Sequence, residues 1–455
     1  MSDSTYDHFF RSSRDSEVFS EDAHLNAMLR VEAALAVVEA KLGIIPTEAA
    51  EAIATCCALE KIDKAALARA GAAAGNLAIP LVKQLTVAVR KVSTEAARYV
   101  HWGATSQDIL DTALVLQLRS HIDFITEAIE NICKALVELI DKHRNTVMAG
   151  RTWLQHAVPT TFGLVAAGWL DVLLRHRERL AEMRPRVLVL QFGGAAGTLA
   201  SLGNDGLRVA EALAREMDLS LPAVPWHSHR DRVAEIAAFH GLLVGSIGKI
   251  ARDLSLGMQA EVGEFAESSN EGQGVSSTMP QKRNPVTCAV ILSTAIRVPG
   301  LVSTMLSAMV QEQQRGLGGW QSEWETLPEI CMLTLGALEK LESMLVNLEV
   351  FPDVMQRNLS LTNGLISAEA VSMEIAKHLG RDEAHQLVQA ASREVIAGRG
   401  SLRAVLEQTE AVTTHLNSSD LSALTDPTNY LGSSMKMIDS VLVNFRRAFP
   451  SCEEK

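Results

Sequence analysis

ILDTALVLQLRSHIDFITEAIENICKALVELIDK, residues 109–142, decides the architecture. Ile122, Ile125, Ile129, Ile132, Leu136 and Ile140 recur at steps of three or four. That is the spacing of one helix face packed in a bundle. Glu127, Glu130, Lys134 and Glu138 occupy the other faces. Working outward, the pattern predicts further long helices over 160–183, 231–266, 285–313 and 327–350. Gly241, Gly245 and Gly248 sit at steps of four and three inside 231–266, so neighbouring backbones can approach that helix closely. On the N-terminal side, 22–42 reads as a helix stopped by Gly43 and Pro46, and 47–100 as shorter helices. Gly193, Gly194 and Gly197 make 191–204 a loop. Beyond 355 the expected helices are shorter: 365–378, 382–396, 401–408 and 433–447, punctuated by Gly380, Gly398 and Gly400.

The expected fold is all-α, with three helical domains: 1–108, a central long-helix bundle over 109–355, and 356–455. A seam this long, apolar on more than one face, implies helices from other copies and hence a homo-oligomer. Composition agrees. The 455 residues are 47% hydrophobic and 21% charged, which excludes a disordered chain. Lys+Arg total 42 against 54 Asp+Glu, a net charge of −12, so no basic footprint marks a nucleic-acid or membrane-surface partner. The six cysteines form no C-x-x-C, which fits reduced thiols and a cytoplasmic setting. The opening stretch MSDSTYDHFFRSSRDSE is too polar for a signal peptide, and the uncharged stretches near 152–170 and 187–204 do not read as membrane spans.

Three polar stretches interrupt the helices: HWGATSQDILDT (101–112), GRTWLQHAVPTTFG (150–163) and SSNEGQGVSSTMPQKRNP (268–285). The first places Thr105, Ser106 and Gln107 beside a helix N-terminus, whose free N–H groups suit an anion. Ser106 or Asp108 serving only as a helix cap is the plainer reading. The third has the composition of a loop, with Lys282 and Asn284 able to bind a carboxylate and Ser276 or Ser277 able to exchange a proton.

GVSSTMPQKRNP resembles the signature loop of the fumarase/aspartase superfamily, GSSxMPxKxNP. TSQD and GRTWLQHAVPTTFG resemble that superfamily's other two regions, in order, and the resemblance covers essentially the whole chain. RDRVAE (230–235) is similar to the adenylosuccinate lyase branch. The resemblance implies all-α homotetramers with a twenty-helix core, each active site assembled from three subunits. It implies Ser276 as the proton-transferring serine, with Lys282 and Asn284 binding a substrate carboxylate. It places Thr105, Ser106 and Gln107 in the substrate-binding motif of the first region, with His101 as a further contact. Thr152, Trp153, Gln155 and His156 fall in the second region.

One position departs from the family. The second region usually reads GRTH, and its histidine helps protonate the leaving group; here Trp153 stands there. An indole has no titratable proton to give. Amines and hydroxide leave poorly without one, whereas a carboxylate, with a conjugate acid of pKa roughly 4, departs as the anion. The expected reaction is therefore one whose leaving group is a carboxylate. Its reverse closes a lactone by intramolecular addition to a carbon–carbon double bond. GNLAIPLVKQL (75–85), PWHSHRDR (225–232) and WQSEWETLPE (320–329) resemble the lactone-closing branch, whose substrate is a small tricarboxylate.

Alternatives stay open. Trp153 can be an aromatic filling core space or a pocket wall. His156, three residues on and expected on the same helix face, can replace the missing histidine or merely hydrogen-bond a neighbour. His227 and His229 lack a third metal ligand at suitable spacing, and no metal site or cofactor is indicated. The competing functions are an adenylosuccinate lyase-like C–N lyase, against which the lost histidine speaks, and a non-enzymatic crystallin-like relative, against which the retained Ser276, Lys282 and Asn284 speak.

Overall fold

The computed structural model describes residues 5–268, 274, 278–279 and 281–450. It is all-α apart from two short antiparallel strand pairs. The elements that place the functional segments are α1 (Glu21–Lys41), α2 (Ser106–His143), β1 (Val147–Thr152), β2 (Gln155–Thr161), α3 (Phe162–Val187), α4 (Asp231–Gly257), α5 (Val286–Ser307) and α6 (Gly319–Val346). The isoleucine seam of α2 behaves as its period demands: Ile122, Ile125, Ile129, Ile132, Leu136 and Ile140 are all buried.

The chain divides into two compact units. One comprises 1–129, 176–248 and 290–340, and the other 130–175, 249–289 and 341–455. In the first, α1 packs into an apolar cluster with Ile109, Leu110, Ala113 and Leu116 of α2. The small residues of α4 act as their spacing suggests at two of three positions. A Cβ on Gly248 would lie 2.8 Å from Ala295 Cβ, and one on Gly241 would lie 3.3 Å from Val302, while nothing lies within 4 Å at Gly245. In the second unit, Phe162 packs on Trp169 and Phe265, and a separate cluster built on Val371, Val388, Leu402 and Leu421 holds the C-terminal helices.

Three expectations need correction. Residues 147–161 form a hairpin, not an approach to a helix, so α3 starts only at Phe162. Helix α4 ends at Gly257, and Phe265–Ala266 pairs as a short strand with Glu349–Val350. Helix α6 begins at Gly319 and carries Pro328 in its interior. Buried Trp320 and Glu323 anchor its first turns, which offsets the hydrogen bond that proline forfeits.

Among the described residues, two helices are long and apolar enough to cross a membrane: Asp231–Gly257 and Val286–Ser307, with mean hydropathy 1.4 and 1.7 over their best windows. The first buries 61% of that window and the second 33%. Ile296 of α5 is 76% exposed.

Candidate active site

Asp108, at the start of α2, organises the first region. Its carboxylate accepts from Thr105 N at 3.0 Å, Gly193 N at 3.0 Å, Gly194 N at 2.9 Å and His227 Nε2 at 2.7 Å. It is fully buried, so these partners replace the water it loses. Asp108 therefore does more than cap: it ties the TSQD turn to the glycine loop and to PWHSHRDR. Thr105 and Ser106 are half-buried. Gln107 is fully buried and donates to His227 O at 2.8 Å and to Asp111 at 3.0 Å. Its Oε1 has no partner among the described residues.

One turn further along α2, Asp111 receives Arg230 at 2.7 and 3.1 Å and the Trp320 indole N–H at 3.0 Å. Arg230 also reaches Glu323 at 3.0 and 2.5 Å and lies over the Trp226 ring. Arg230, Asp111 and Glu323 are each at most 2% exposed. PWHSHRDR and WQSEWETLPE thus meet TSQD in one buried ionic network. His227 belongs to this network, while His229 is exposed.

Two residues that sequence reasoning missed flank the first region. Arg315 donates to Thr105 Oγ1 and to Ala195 O, both at 3.1 Å. Glu32 of α1 accepts from His101 Nδ1 at 2.7 Å. Burial alone would lower the His101 pKa, but the Glu32 charge, its hydrogen bond and Asp108 together raise it above the usual value. Neither partner carries a local motif, so their roles become visible only in three dimensions.

The second region is the hairpin. Thr152 pairs with Gln155 and Arg151 with His156, leaving Trp153 and Leu154 as a two-residue loop. Both have positive φ, 52° and 64°, as a type I′ turn requires. Trp153 is 97% exposed, which rules out the core-filling reading within this chain. His156 shares no helix face with it; it lies in β2, beside Arg151 across the ladder. Burial and Arg151 lower the His156 pKa, opposed by Glu264. Arg151 donates to Glu264 at 2.9 and 2.6 Å, and Asn358 donates to the same fully buried carboxylate at 2.9 Å. Gly150 is obligatory beneath: a Cβ there would lie 2.6 Å from Val158 O.

In the third region, Asn284 closes the loop's base, donating its backbone and side-chain N–H to Gly274 O at 3.0 and 3.1 Å. Glu267 accepts from Thr287 N and Cys288 N, both at 3.0 Å, and so caps α5. Lys282 is exposed. Ser276 and Ser277 lie outside the described residues. His101, Thr105, Ser106 and Gln107 fall in the first compact unit; Thr152, Trp153, Gln155, His156, Lys282 and Asn284 fall in the second.

One cluster elsewhere gathers metal-binding atom types: His121, His240 and Cys331, all buried, with donor atoms within 4.8 Å of one another. The two Nε2 atoms lie 2.6 Å apart, the distance of a shared proton and too close for two tetrahedral ligands each ~2.0 Å from one ion.

The helical fold and the three segments define a class of carboxylate-processing enzymes. Residues 4–300 match the lyase family, and residues 364–441 match the adenylosuccinate lyase C-terminus; the chain belongs to this family, the fumarase/aspartase superfamily. It is 49% identical over 437 residues to the 3-carboxy-cis,cis-muconate cycloisomerase of Pseudomonas aeruginosa, covering 96% of this chain and 95% of that one. It is also 49% identical over 423 residues to the enzyme of the same name from Bradyrhizobium diazoefficiens, covering 93% and 94%. The crystal structure of 3-carboxy-cis,cis-muconate lactonizing enzyme from Pseudomonas putida superposes with a TM-score of 0.93 at 48% identity, covering 98% of this chain and 99% of that one.

Proposed function

We propose that this chain closes 3-carboxy-cis,cis-muconate to 4-carboxymuconolactone, a step of aromatic-acid catabolism in the protocatechuate/β-ketoadipate route. The observation that carries this reading is Trp153, an indole at the hairpin tip where the superfamily's general acid stands. A pocket walled by that indole suits a carboxylate as the group that adds or leaves. Relatives bearing that activity in their names, at 49% identity over nearly the full length, support the same substrate.

In the proposed reaction a substrate carboxylate oxygen bonds to the β carbon of an unsaturated acid unit. The π electrons move toward the carboxylate conjugated with that double bond, and fixed donors stabilise the charge. Ser276 delivers its proton to the α carbon and, in reverse, its alkoxide removes it. One C–O and one C–H bond form while one π bond and the serine O–H bond break; a solvent proton restores the hydroxyl, no electrons enter or leave, and the balance calls for no cofactor. Lys282, Asn284 and the Thr105–Gln107 segment hold the carboxylates, with His101, Thr152, Gln155 and His156 around them. Arg315, hydrogen-bonded to Thr105, adds a cation suited to a tricarboxylate.

A homotetramer with shared sites fits the apolar surface this chain leaves open. Helix α5 buries a third of its most apolar window, and the Trp153 tip stands free. A cytoplasmic setting fits the free thiols of the described cysteines.

An ultraviolet assay tests the proposal with 3-carboxymuconate beside adenylosuccinate. Loss of diene absorbance with the first alone is expected; turnover of adenylosuccinate instead would overturn the reading. Ser276→Ala should abolish most of kcat while the tetramer persists, and near-normal turnover would remove Ser276 from its role.

A further inference from the structure

His101 is held in an unusual way. Its φ is +59°, a left-handed conformation that costs a non-glycine residue about 1–2 kcal/mol. Such strain persists where the surroundings over-determine it, commonly at functional sites. Here Glu32 Oε1 accepts from His101 Nδ1 at 2.7 Å, across 69 residues of sequence. Glu32 is 1% exposed, and its Oε2 has no partner among the described residues. A buried carboxylate with one empty oxygen is costly unless a cation faces it. Arg and Lys make no ion pair with Glu32 among the described residues; His101 is the partner the structure supplies.

The neighbours point the same way. Asp108, on α2, adds a second negative charge near the ring. Glu39, one helical stretch along α1, is fully buried with both oxygens unpartnered among the described residues, and burial followed by Glu32 pushes its pKa up to about 8. Glu39 is therefore neutral at pH 7. The Cys57 thiol is also pushed up, chiefly by burial. With Nδ1 engaged by Glu32, Nε2 is the His101 ring nitrogen left for a ligand.

We propose that Glu32 is a positioning residue for this active site: it fixes the His101 ring and its positive charge, making the Nε2–H a preset donor to a substrate carboxylate. The inference rests on the reading above only for the identity of the substrate. The carboxylate anchors the ring's orientation and stabilises its imidazolium form, as the third member of a catalytic triad does. Substrate affinity then carries the charge state of the pair. It is full while His101 is protonated and is lost as pH rises through the raised His101 pKa.

Histidine C2–H exchange, followed by mass spectrometry across pH on the intact protein, reads the pair without substrate. In the wild type, His101 should titrate above the ordinary ~6.5. Glu32→Gln keeps an acceptor for Nδ1–H but removes the charge, so the midpoint should fall by at least about one pH unit. With 3-carboxymuconate, Glu32→Gln should raise KM about tenfold or more with kcat little changed, and should move the alkaline limb of kcat/KM to lower pH. Glu32→Asp should restore part of both effects, and Glu32→Gln should add nothing in a His101→Gln background. A wild-type His101 titrating at or below 6.5 overturns the proposal even if no Glu32 variant folds. An unshifted midpoint in folded Glu32→Gln also overturns it. Failure to turn over the muconate with the midpoint shift intact counts against the substrate alone.

Discussion

Asp108 and Trp153 sit in motifs that weigh equally in the sequence, yet their surroundings are opposite. Asp108 is fully buried, and four donors from three segments of the same chain converge on its carboxylate. Trp153 is 97% exposed, beside Leu154 at 74%, in a left-handed turn that favours asparagine and glycine. The Asp108 carboxylate finds its donors within one chain. The second region has two large apolar side chains exposed on a left-handed turn, with no packing partner that buries them among the described residues. That difference separates a site's scaffold, which folding stability maintains, from its reactive wall, which folding stability would discard.

The comparison is broken most severely at Arg230. Replacing it with Met leaves Asp111 and Glu323 buried without their cation. Removing one partner of a buried pair costs about 3–5 kcal/mol. Arg230→Met should therefore lower the urea midpoint strongly or prevent folding, and Gln107, bonded to Asp111, should be displaced with it. A variant as stable as the wild type would mean that the network is not what holds the TSQD corner.

The hairpin should respond in the reverse sense. Trp153→Asn with Leu154→Gly supplies the residues that a type I′ turn prefers and removes exposed apolar area. Relief of two left-handed non-glycine residues should stabilise the chain by about 1–2 kcal/mol, read as a higher melting temperature. Lactonisation should nevertheless fall by at least about tenfold, because the pocket wall is gone. Trp153→His separates the indole's size from its chemistry. If lactonisation is unchanged in both variants, Trp153 is a spectator.

The same contrast explains what the sequence made legible. The α2 seam repeats from Ile122 to Ile140 over about five turns, and local pattern suffices for it. The hairpin is not legible, because its turn is Trp153-Leu154 rather than Asn-Gly, and its strands carry no clean alternation. Pro328 hides the true start of α6, since the anchors that carry the helix through it, Trp320 and Glu323, bind partners distant in sequence. The segments containing Asp108, Arg230 and Glu323 were recognisable one by one; their convergence was not, because separations of 93 to 119 residues leave no local trace. Arg315 and Glu32 stand in no motif, and tertiary proximity alone gives them a role.

Glu39 lies in the same compact unit as Asp108 but in the opposite condition. Its carboxyl is fully buried, with no hydrogen-bond partner among the described residues, and burial with the Glu32 charge raises its pKa to about 8. The folded chain thus keeps a proton that the unfolded chain releases near the ordinary value of 4.5. Between those values the native state binds more protons, so stability falls as pH rises, by at most ~1.4 kcal/mol per pH unit. Glu39→Met fills the same space without a titratable group. Its melting temperature should match the wild type near pH 4.5 or fall slightly below it. It should overtake the wild type progressively toward pH 8, where a gain of about 1–3 kcal/mol is expected. Curves that stay parallel from pH 5 to 8 would show that Glu39 releases its proton equally in both states, and the buried acid would then have a partner or a route to water.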